Sequence, residues 1–326
     1  MARADLVVSL VETGIKGDLS RFKKTAEAIA AEASAKHQYH LADKLKNILI
    51  TSSDFGEARR FSLDNDLQNS FYESYTQKSL SDMVIPDDVS VALHEIIEEH
   101  ARRDLLRTYS LEPRHKILLS GPPGNGKTSL AEALANHLGV PFFTVKYEGI
   151  INRFLGETAQ QIDKLFDHIK TQRCVLFFDE FDAIGKERED ANENGEMKRV
   201  VNSLLKQIDL LPSHVVLIGA TNHETMLDKA IWRRFQVQIK VPKPTQKMAE
   251  RWFDEFKTRV GHDFGVASST LAKKLSGLSF AELEEFSLDV QRRYVLGLPD
   301  SDKNVSLITQ KCIKAWANRY KVGGDD

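Results

Sequence analysis

The stretch His115-Lys116-Ile117-Leu118-Leu119-Ser120-Gly121-Pro122-Pro123-Gly124-Asn125-Gly126-Lys127-Thr128 decides the reading of this chain. Its first six residues form a largely apolar run of strand length, and its last eight fit the pattern G-x-x-x-x-G-K-[ST]. Leu130, Leu134 and Leu138 follow at helical spacing, so the loop lies between a strand and a helix, the context this motif requires. Glycines let consecutive backbone N–H groups turn inward around phosphate oxygens, and the helix N-terminus adds the positive end of its dipole. Lys127 supplies a point charge for the outer phosphates and the Thr128 hydroxyl a ligand for Mg2+. Gly121, Pro122, Pro123, Gly124, Asn125, Gly126, Lys127, Thr128 and Ser129 are therefore the expected nucleotide contacts.

The second half of the site is expected 51 residues beyond Thr128. Cys174-Val175-Leu176-Phe177-Phe178-Asp179-Glu180 is an apolar strand that ends in two acids. In open α/β sheets ligands sit beyond the carboxyl ends of the strands, which brings both acids to the phosphates. Asp179 is expected to hold Mg2+, directly or through water, and Glu180 to orient and deprotonate the attacking water. A neighbouring pair of carboxylates costs repulsion unless a cation or hydrogen bonds offset it, which favours a functional pair over a structural one.

Outward from this site the same texture continues. His115–Ser120, Val140–Val145, Cys174–Phe178, Val215–Gly219 and Phe235–Val241 are short apolar runs separated by helical patterns, which implies a mostly parallel sheet with helices on both faces. After Pro242 and Pro244 the strands stop. The remainder reads as helices broken near Gly261–Gly265, Gly277 and Gly297–Pro299, with Ser279 and Glu282 at capping-box spacing. Before the sheet, residues 1–60 are helical in pattern (Phe22, Ala26, Ile29, Ala33), and 61–80 read as a polar linker with scattered aromatics that docks on something.

Composition bounds the partners. The 326 residues carry 45 basic and 47 acidic side chains, a net charge of −2. Residues 1–60 hold 10 basic and 8 acidic groups and residues 243–326 hold 14 and 12, so no segment is basic enough to bind nucleic acid by charge alone. Two cysteines, Cys174 and Cys312, rule out a disulfide framework and suit a reducing compartment. No run approaches the ~18 apolar residues of a membrane span, and Asp5 and Glu12 interrupt the start. The expectation is a cytoplasmic protein without membrane contact.

Four ordered stretches carry a resemblance: Gly121–Thr128, Phe177-Phe178-Asp179-Glu180-Phe181-Asp182, Ile218-Gly219-Ala220-Thr221-Asn222, and Leu227-Asp228-Lys229-Ala230-Ile231-Trp232-Arg233-Arg234-Phe235. Together with Val241-Pro242-Lys243-Pro244 they resemble the AAA family of ATPases, from about Ser81 to Tyr320. The resemblance implies an α/β fold, a P-loop NTPase with a doubly wound parallel sheet over 81–242 and a C-terminal all-helical lid over 243–326. A small helical N-terminal domain (1–60) and the linker 61–80 precede them.

The resemblance also implies roles. Asn222 matches the polar sensor that helps place the lytic water. Arg233 and Arg234 match arginine fingers that reach the γ-phosphate of a neighbouring subunit, without telling which dominates, and fingers delivered in trans imply a ring, by analogy a hexamer. Phe154, Leu155 and Gly156 match the pore loop that grips a polypeptide, and Lys186–Glu196 is either a second such loop or a solvated one. Asp82 and Val84 lie in the segment that cups adenine. His223 stands where many relatives have Arg, and no Arg accompanies Gly277–Leu283, which favours peptide-threading branches over clamp loaders.

The implied function is Mg2+-dependent ATP hydrolysis coupled to unfolding, translocating or remodelling protein substrates. The rival readings are a nucleic-acid motor or loader and a nucleotide-switched scaffold. Neither H-E-x-x-H nor G-x-S-x-G occurs, so a peptidase would be a separate chain, and it or an adaptor would bind residues 1–60. His37 and His40, three apart with no third ligand nearby, read as solvated helix residues.

Overall fold

Among the described residues five strands run parallel and a sixth closes one edge in the opposite sense. They are β1 (Phe71–Ser74), β2 (Lys116–Ser120), β3 (Phe142–Val145), β4 (Cys174–Phe178), β5 (Val215–Thr221) and β6 (Val237–Lys240), in the order β1-β3-β4-β5-β2-β6. The computed structural model describes residues 25, 28, 29, 71–145, 160–182, 195–224, 227, 229–261, 263–297 and 304–320. The chain forms two compact units, 1–63 and 64–326. In the first, only Thr25, Ala28 and Ile29 are described; they are helical, with Ile29 buried.

Burial explains the strand sequences. Every residue of β4 and β5 is buried, as befits central strands covered on both faces, whose sequences are continuous apolar runs. At the edge, β6 alternates, with Val237 and Ile239 inward and Gln238 and Lys240 outward. Strand β1 pairs antiparallel with β3, Phe71 opposite Val145 and Ser74 opposite Phe142. The stretch read from sequence as a linker thus contributes an edge strand, its docking partner being the sheet itself. Strand β3 starts later than expected because Val140 still donates to Ala135 O at a helix end and Pro141 has no N–H. Strand β5 runs two residues longer, through Ala220 and Thr221.

Register sets the working edge. Ser120 lies opposite Thr221 in the β2–β5 pair, and Phe178 opposite Gly219 in the β4–β5 pair. The chain therefore leaves β2 at Gly121, β5 at Asn222 and β4 at Asp179 along one end of the sheet. Helix α1 (Asp87–Ala101), short helix α2 (Arg103–Thr108) and helix α3 (Lys127–Leu138) follow the early strands. Val89, Leu93 and Ile96 of α1 and Leu130, Ala131 and Leu134 of α3 share one core with Ile117, Leu119, Phe177 and Ile218 of the sheet. Helices α4 (Gln160–Lys170), α5 (Gly195–Asp209) and α6 (Lys229–Trp232) are the other described helices of the α/β layer.

From Gln246 onward the described residues are helical: α7 (Gln246–Val260), α8 (Ser268–Lys274), α9 (Phe280–Leu296) and α10 (Val305–Tyr320). They enclose their own core, in which Phe253, Phe264, Phe286 and Trp316 meet edge to face. The predicted breaks are there for a physical reason: Gly261 and Gly277 adopt φ of 70° and 88°, the left-handed region that ends helices. The Ser279–Glu282 capping box opens α9, with Ser279 N–H donating to Glu282 Oε2 at 2.6 Å. Both cysteines are free and buried, and burial pushes the Cys174 thiol up to about 12, so it is a packing residue. No helix among the described residues is long and apolar enough to cross a membrane.

One position in the loop after β2 admits no side chain. At Gly121, φ is 141° and a Cβ would lie 2.1 Å from the Val241 carbonyl oxygen, a backbone atom that cannot swing away. At Gly126 the nearest neighbour of a Cβ would be Met83 Cε at 3.6 Å. Gly121→Ala is expected to cost about 3 kcal/mol or more, seen as a fall in Tm of roughly 5–10 °C. Gly126→Ala, strained only in its backbone, is expected to fall by less than half of that in the same thermal scan.

Candidate active site

The loop Gly121–Gly126 wraps the start of α3. Gly121 N–H donates to Thr221 O at 3.2 Å, which ties the loop to β5, and Gly126, at φ 83°, turns the chain into the helix. Lys127 is buried. Its ammonium donates to Gly121 O (2.7 Å), Pro122 O (3.1 Å) and Asn222 Oδ1 (2.7 Å), all neutral acceptors. Among the described residues it makes no ion pair. Burial pulls this ammonium below the ordinary lysine value, while Asp179 and Asp182 pull it back. A buried cation with only neutral partners, at a helix N-terminus, is a site built for an anion. Asn125 braces the loop itself: its Nδ2 donates to Pro122 O at 3.1 Å.

The acids sit on the neighbouring strand end. Asp179 and Glu180 are both exposed. Glu180 has φ 48°, rare for a residue with a side chain. Two bonds hold that turn: Glu180 N–H donates to Asp179 Oδ1 at 2.9 Å, and Phe181 N–H to Ala220 O at 2.8 Å. Asp182, buried, accepts from Thr221 Oγ1 at 2.9 Å, which locks the same turn to β5. The Thr128 hydroxyl, exposed in the first turn of α3, and the Asp179 carboxylate are hard oxygen donors of the kind Mg2+ prefers.

The structure thus brings Lys127 and Asn222 into contact and sets Asp179 and Glu180 on the strand beside them. His223 N–H donates to Thr221 Oγ1 at 3.0 Å and its side chain is exposed. Asp82 closes a one-turn helix (Leu80–Asp82) and is exposed, Val84 is buried, and Met83 between them reaches Gly126. Ser129 Oγ accepts from Lys78 Nζ at 3.0 Å. Arg234 is engaged by its own chain, with Nε 3.1 Å from Asp209 Oδ1, whereas Arg233 is exposed and has no partner among the described residues. Phe154, Leu155, Gly156 and most of Lys186–Glu196 lie outside the described residues, as do His37 and His40.

Four residues that support the site, Glu224, Ala281, Asp209 and Lys78, carry no signal of that role in the sequence pattern. Ser120 Oγ donates to Glu224 Oε1 at 2.9 Å, and Glu224 also pairs with Lys240 at 3.3 Å, clamping the strand ends on which the loop stands. Ala281 N–H, in the first turn of α9, donates to Gly124 O at 2.9 Å. Asp209 and Lys78 complete the set. Of these, only Ala281 lay in a stretch already singled out, the turn Gly277–Leu283; the rest depend on contacts across 16 to 104 residues, for which local pattern has no signal.

Comparison with known proteins agrees with this geometry. Residues 117–243 match the model of the ATPase family associated with various cellular activities (AAA). The chain is 34% identical to a putative 26S proteasome regulatory subunit homolog of Methanothermobacter thermautotrophicus over 66% of its own length and 58% of that protein. It is 34% identical to an AAA ATPase forming ring-shaped complexes from Corynebacterium kroppenstedtii, over 56% of its own length and 35% of that protein. It therefore spans under two thirds of those two relatives. An uncharacterised AAA family ATPase of Sinorhizobium fredii, y4kL, is 37% identical across 87% of both chains. A match of that extent, over a phosphate loop and acid pair placed as described, makes the conclusion direct: the chain belongs to the AAA family and is an ATP hydrolase.

Proposed function

We propose that this ATPase works as a ring, by family analogy a hexamer, that unfolds, translocates or remodels protein substrates. In this reading residues 81–242, with the edge strand β1 (Phe71–Ser74) added before them, are the α/β ATPase domain and 243–326 the helical lid. ATP lies between them, with Asp82 and Val84 on the adenine side and Gly121–Ser129 around the phosphates. Lys127 holds the outer phosphates in place of the loop carbonyls it now contacts. Mg2+, held by Thr128 and Asp179, would neutralise charge on the phosphates. Glu180 takes the proton of the attacking water, and Asn222, already in contact with Lys127, orients that water. Arg233 and Arg234 of one subunit face the phosphates bound by the next.

The observation that best supports a mechanical role is the bond from Ala281 N–H to Gly124 O. Gly124 packs so closely that a Cβ there would lie 2.8 Å from Ser279 Oγ. The first turn of α9 thus rests directly on the phosphate loop, and a loop that rearranges around nucleotide carries the helix with it. The relatives named for a proteasome regulatory subunit and for ring-shaped complexes favour protein substrates and a ring. Phe154, Leu155 and Gly156 are the proposed grip on the substrate, since an exposed aromatic tolerates any sequence.

The experiment is a comparison of two readouts. Phe154→Ala is expected to keep ATP turnover within about threefold and to lower unfolding of a tagged test protein at least ~10-fold, because it removes apolar grip and leaves the nucleotide site intact. Unfolding at the wild-type rate would remove Phe154 from the mechanism. ATPase stimulated by DNA or RNA with a steep salt dependence would instead favour the nucleic-acid reading.

A further inference from the structure

Between β1 and α1 the chain crosses the helix that opens the phosphate site, and Lys78 fastens it there. Three side chains of α3 meet this residue: Lys78 Nζ donates to Ser129 Oγ at 3.0 Å, pairs with Glu132 Oε2 at 2.5 Å, and Asn136 Nδ2 donates to the Lys78 carbonyl at 2.8 Å. Positions 129, 132 and 136 form one stripe of the helix. Four residues on, the same strap reaches Asp82, and the next residue, Met83, lies against Gly126.

The electrostatics of the stripe are unusual for a phosphate site. Glu132 lies in the second turn of the helix whose N-terminus receives a triphosphate, and its Oε2 is buried from solvent. An uncompensated carboxylate there repels the phosphates, partly through protein and partly through solvent, since the Glu132 side chain is 23% exposed. Lys78 is the cation that meets it, and it reaches forward to Ser129, next to the proposed magnesium ligand Thr128.

We propose that Lys78 is a positioning residue for ATP: it neutralises Glu132 and holds the strap, and so sets nucleotide affinity without taking part in the chemical step. This rests on Gly121–Thr128 being the phosphate site. A backbone anchor remains when the ammonium is removed, because Asn136 bonds the Lys78 carbonyl and not its side chain. Charge and docking are therefore separable.

The test measures KM and kcat for ATP in the full chain at low and high salt. Lys78→Met is expected to raise KM about 5–10-fold with kcat within twofold, and the effect shrinks with added salt. Lys78→Arg, which restores the charge, and Lys78→Met combined with Glu132→Gln, which removes the carboxylate, are both expected within twofold of wild type. Glu132→Gln alone keeps the strap and leaves a net cation, so its KM is expected to equal or fall below the wild-type value. That variant decides the matter if Lys78→Met does not fold. A KM for Lys78→Met within twofold of wild type, a rise that Glu132→Gln does not relieve, or a raised KM for Glu132→Gln alone would overturn the proposal. Lys127→Ala, measured alongside, is expected to abolish ATP binding. Retained binding there would sink the phosphate-site reading itself, whatever Lys78 does.

Discussion

Glu180→Gln is expected to bind ATP as tightly as the wild type and to hydrolyse it at least ~100-fold more slowly, and up to ~10,000-fold. The reason lies in the turn after β4. A side-chain-bearing residue at φ 48° costs about 1–3 kcal/mol, and such strain persists only where surrounding bonds over-determine it. Here the Asp179 carboxylate caps Glu180 N–H, Phe181 N–H is bonded to Ala220 O, and Asp182 is bonded to Thr221. The turn sets the two adjacent acids differently: the Asp179 carboxylate folds back on the backbone, and the Glu180 side chain is exposed with no hydrogen bond among the described residues. Glutamine keeps the size and the turn but cannot accept a proton. The check is single-turnover hydrolysis alongside nucleotide binding measured directly. A rate within tenfold of wild type would take the general base away from Glu180, and loss of binding would mean that the residue holds the turn rather than the water.

The parts of this site visible in sequence are those built from short-range rules. Gly121, Gly124 and Gly126 are legible because the loop needs backbone conformations and close approaches that a Cβ would obstruct. Strands β4 and β5 are legible because burial on both faces leaves no polar alternation to confuse them with a surface element. The capping box at Ser279 is local by construction. Strand β1 was missed because it is an edge strand among polar residues, with Tyr72 still largely exposed; its pairing partner lies some 70 residues away, and nothing in Phe71–Ser74 announces it.

What sequence pattern could not supply is the order of the strands, and much of the site follows from that order. Because β5 lies between β2 and β4, Thr221 and Asn222 emerge beside both the phosphate loop and the acid pair. One strand end thus serves Lys127 through Asn222 and the Glu180 turn through Ala220 and Thr221. Strand order is a product of long-range packing, which a motif list does not contain. The same holds for Lys78 and Asp209, ordinary surface charges in the sequence that acquire meaning only from what they touch.

Arg233→Ala is expected to lower kcat of the assembled enzyme about 10³-fold, whereas Arg234→Ala lowers it much less and reduces thermal stability. Sequence treats the two arginines alike; their surroundings do not. The Arg234 guanidinium is committed to Asp209 at the end of α5 and fixes the turn in which Arg234 N–H bonds to Ile231 O. Arg233 projects into solvent and has no partner among the described residues, the condition a finger must meet if it is to cross to another subunit. The turn is also tied to the acid pair. Phe235 stacks edge to face on Phe181 at 5.2 Å, and both rings pack over Gly219, where a Cβ would lie 3.1 Å from Phe235. In the proposed ring, a movement at Glu180 would reach these arginines through that stack. Mixing separates this from a role within one chain. Glu180→Gln subunits carry an intact Arg233 and a dead site, and Arg233→Ala subunits carry the reverse. Co-assembly pairs a live site with a live finger at a fraction of the seams, so the mixture is expected to exceed the summed rates of its parts several-fold. A mixture no faster than that sum, or an enzyme that turns over at full rate as a monomer, would place Arg233 outside the reaction.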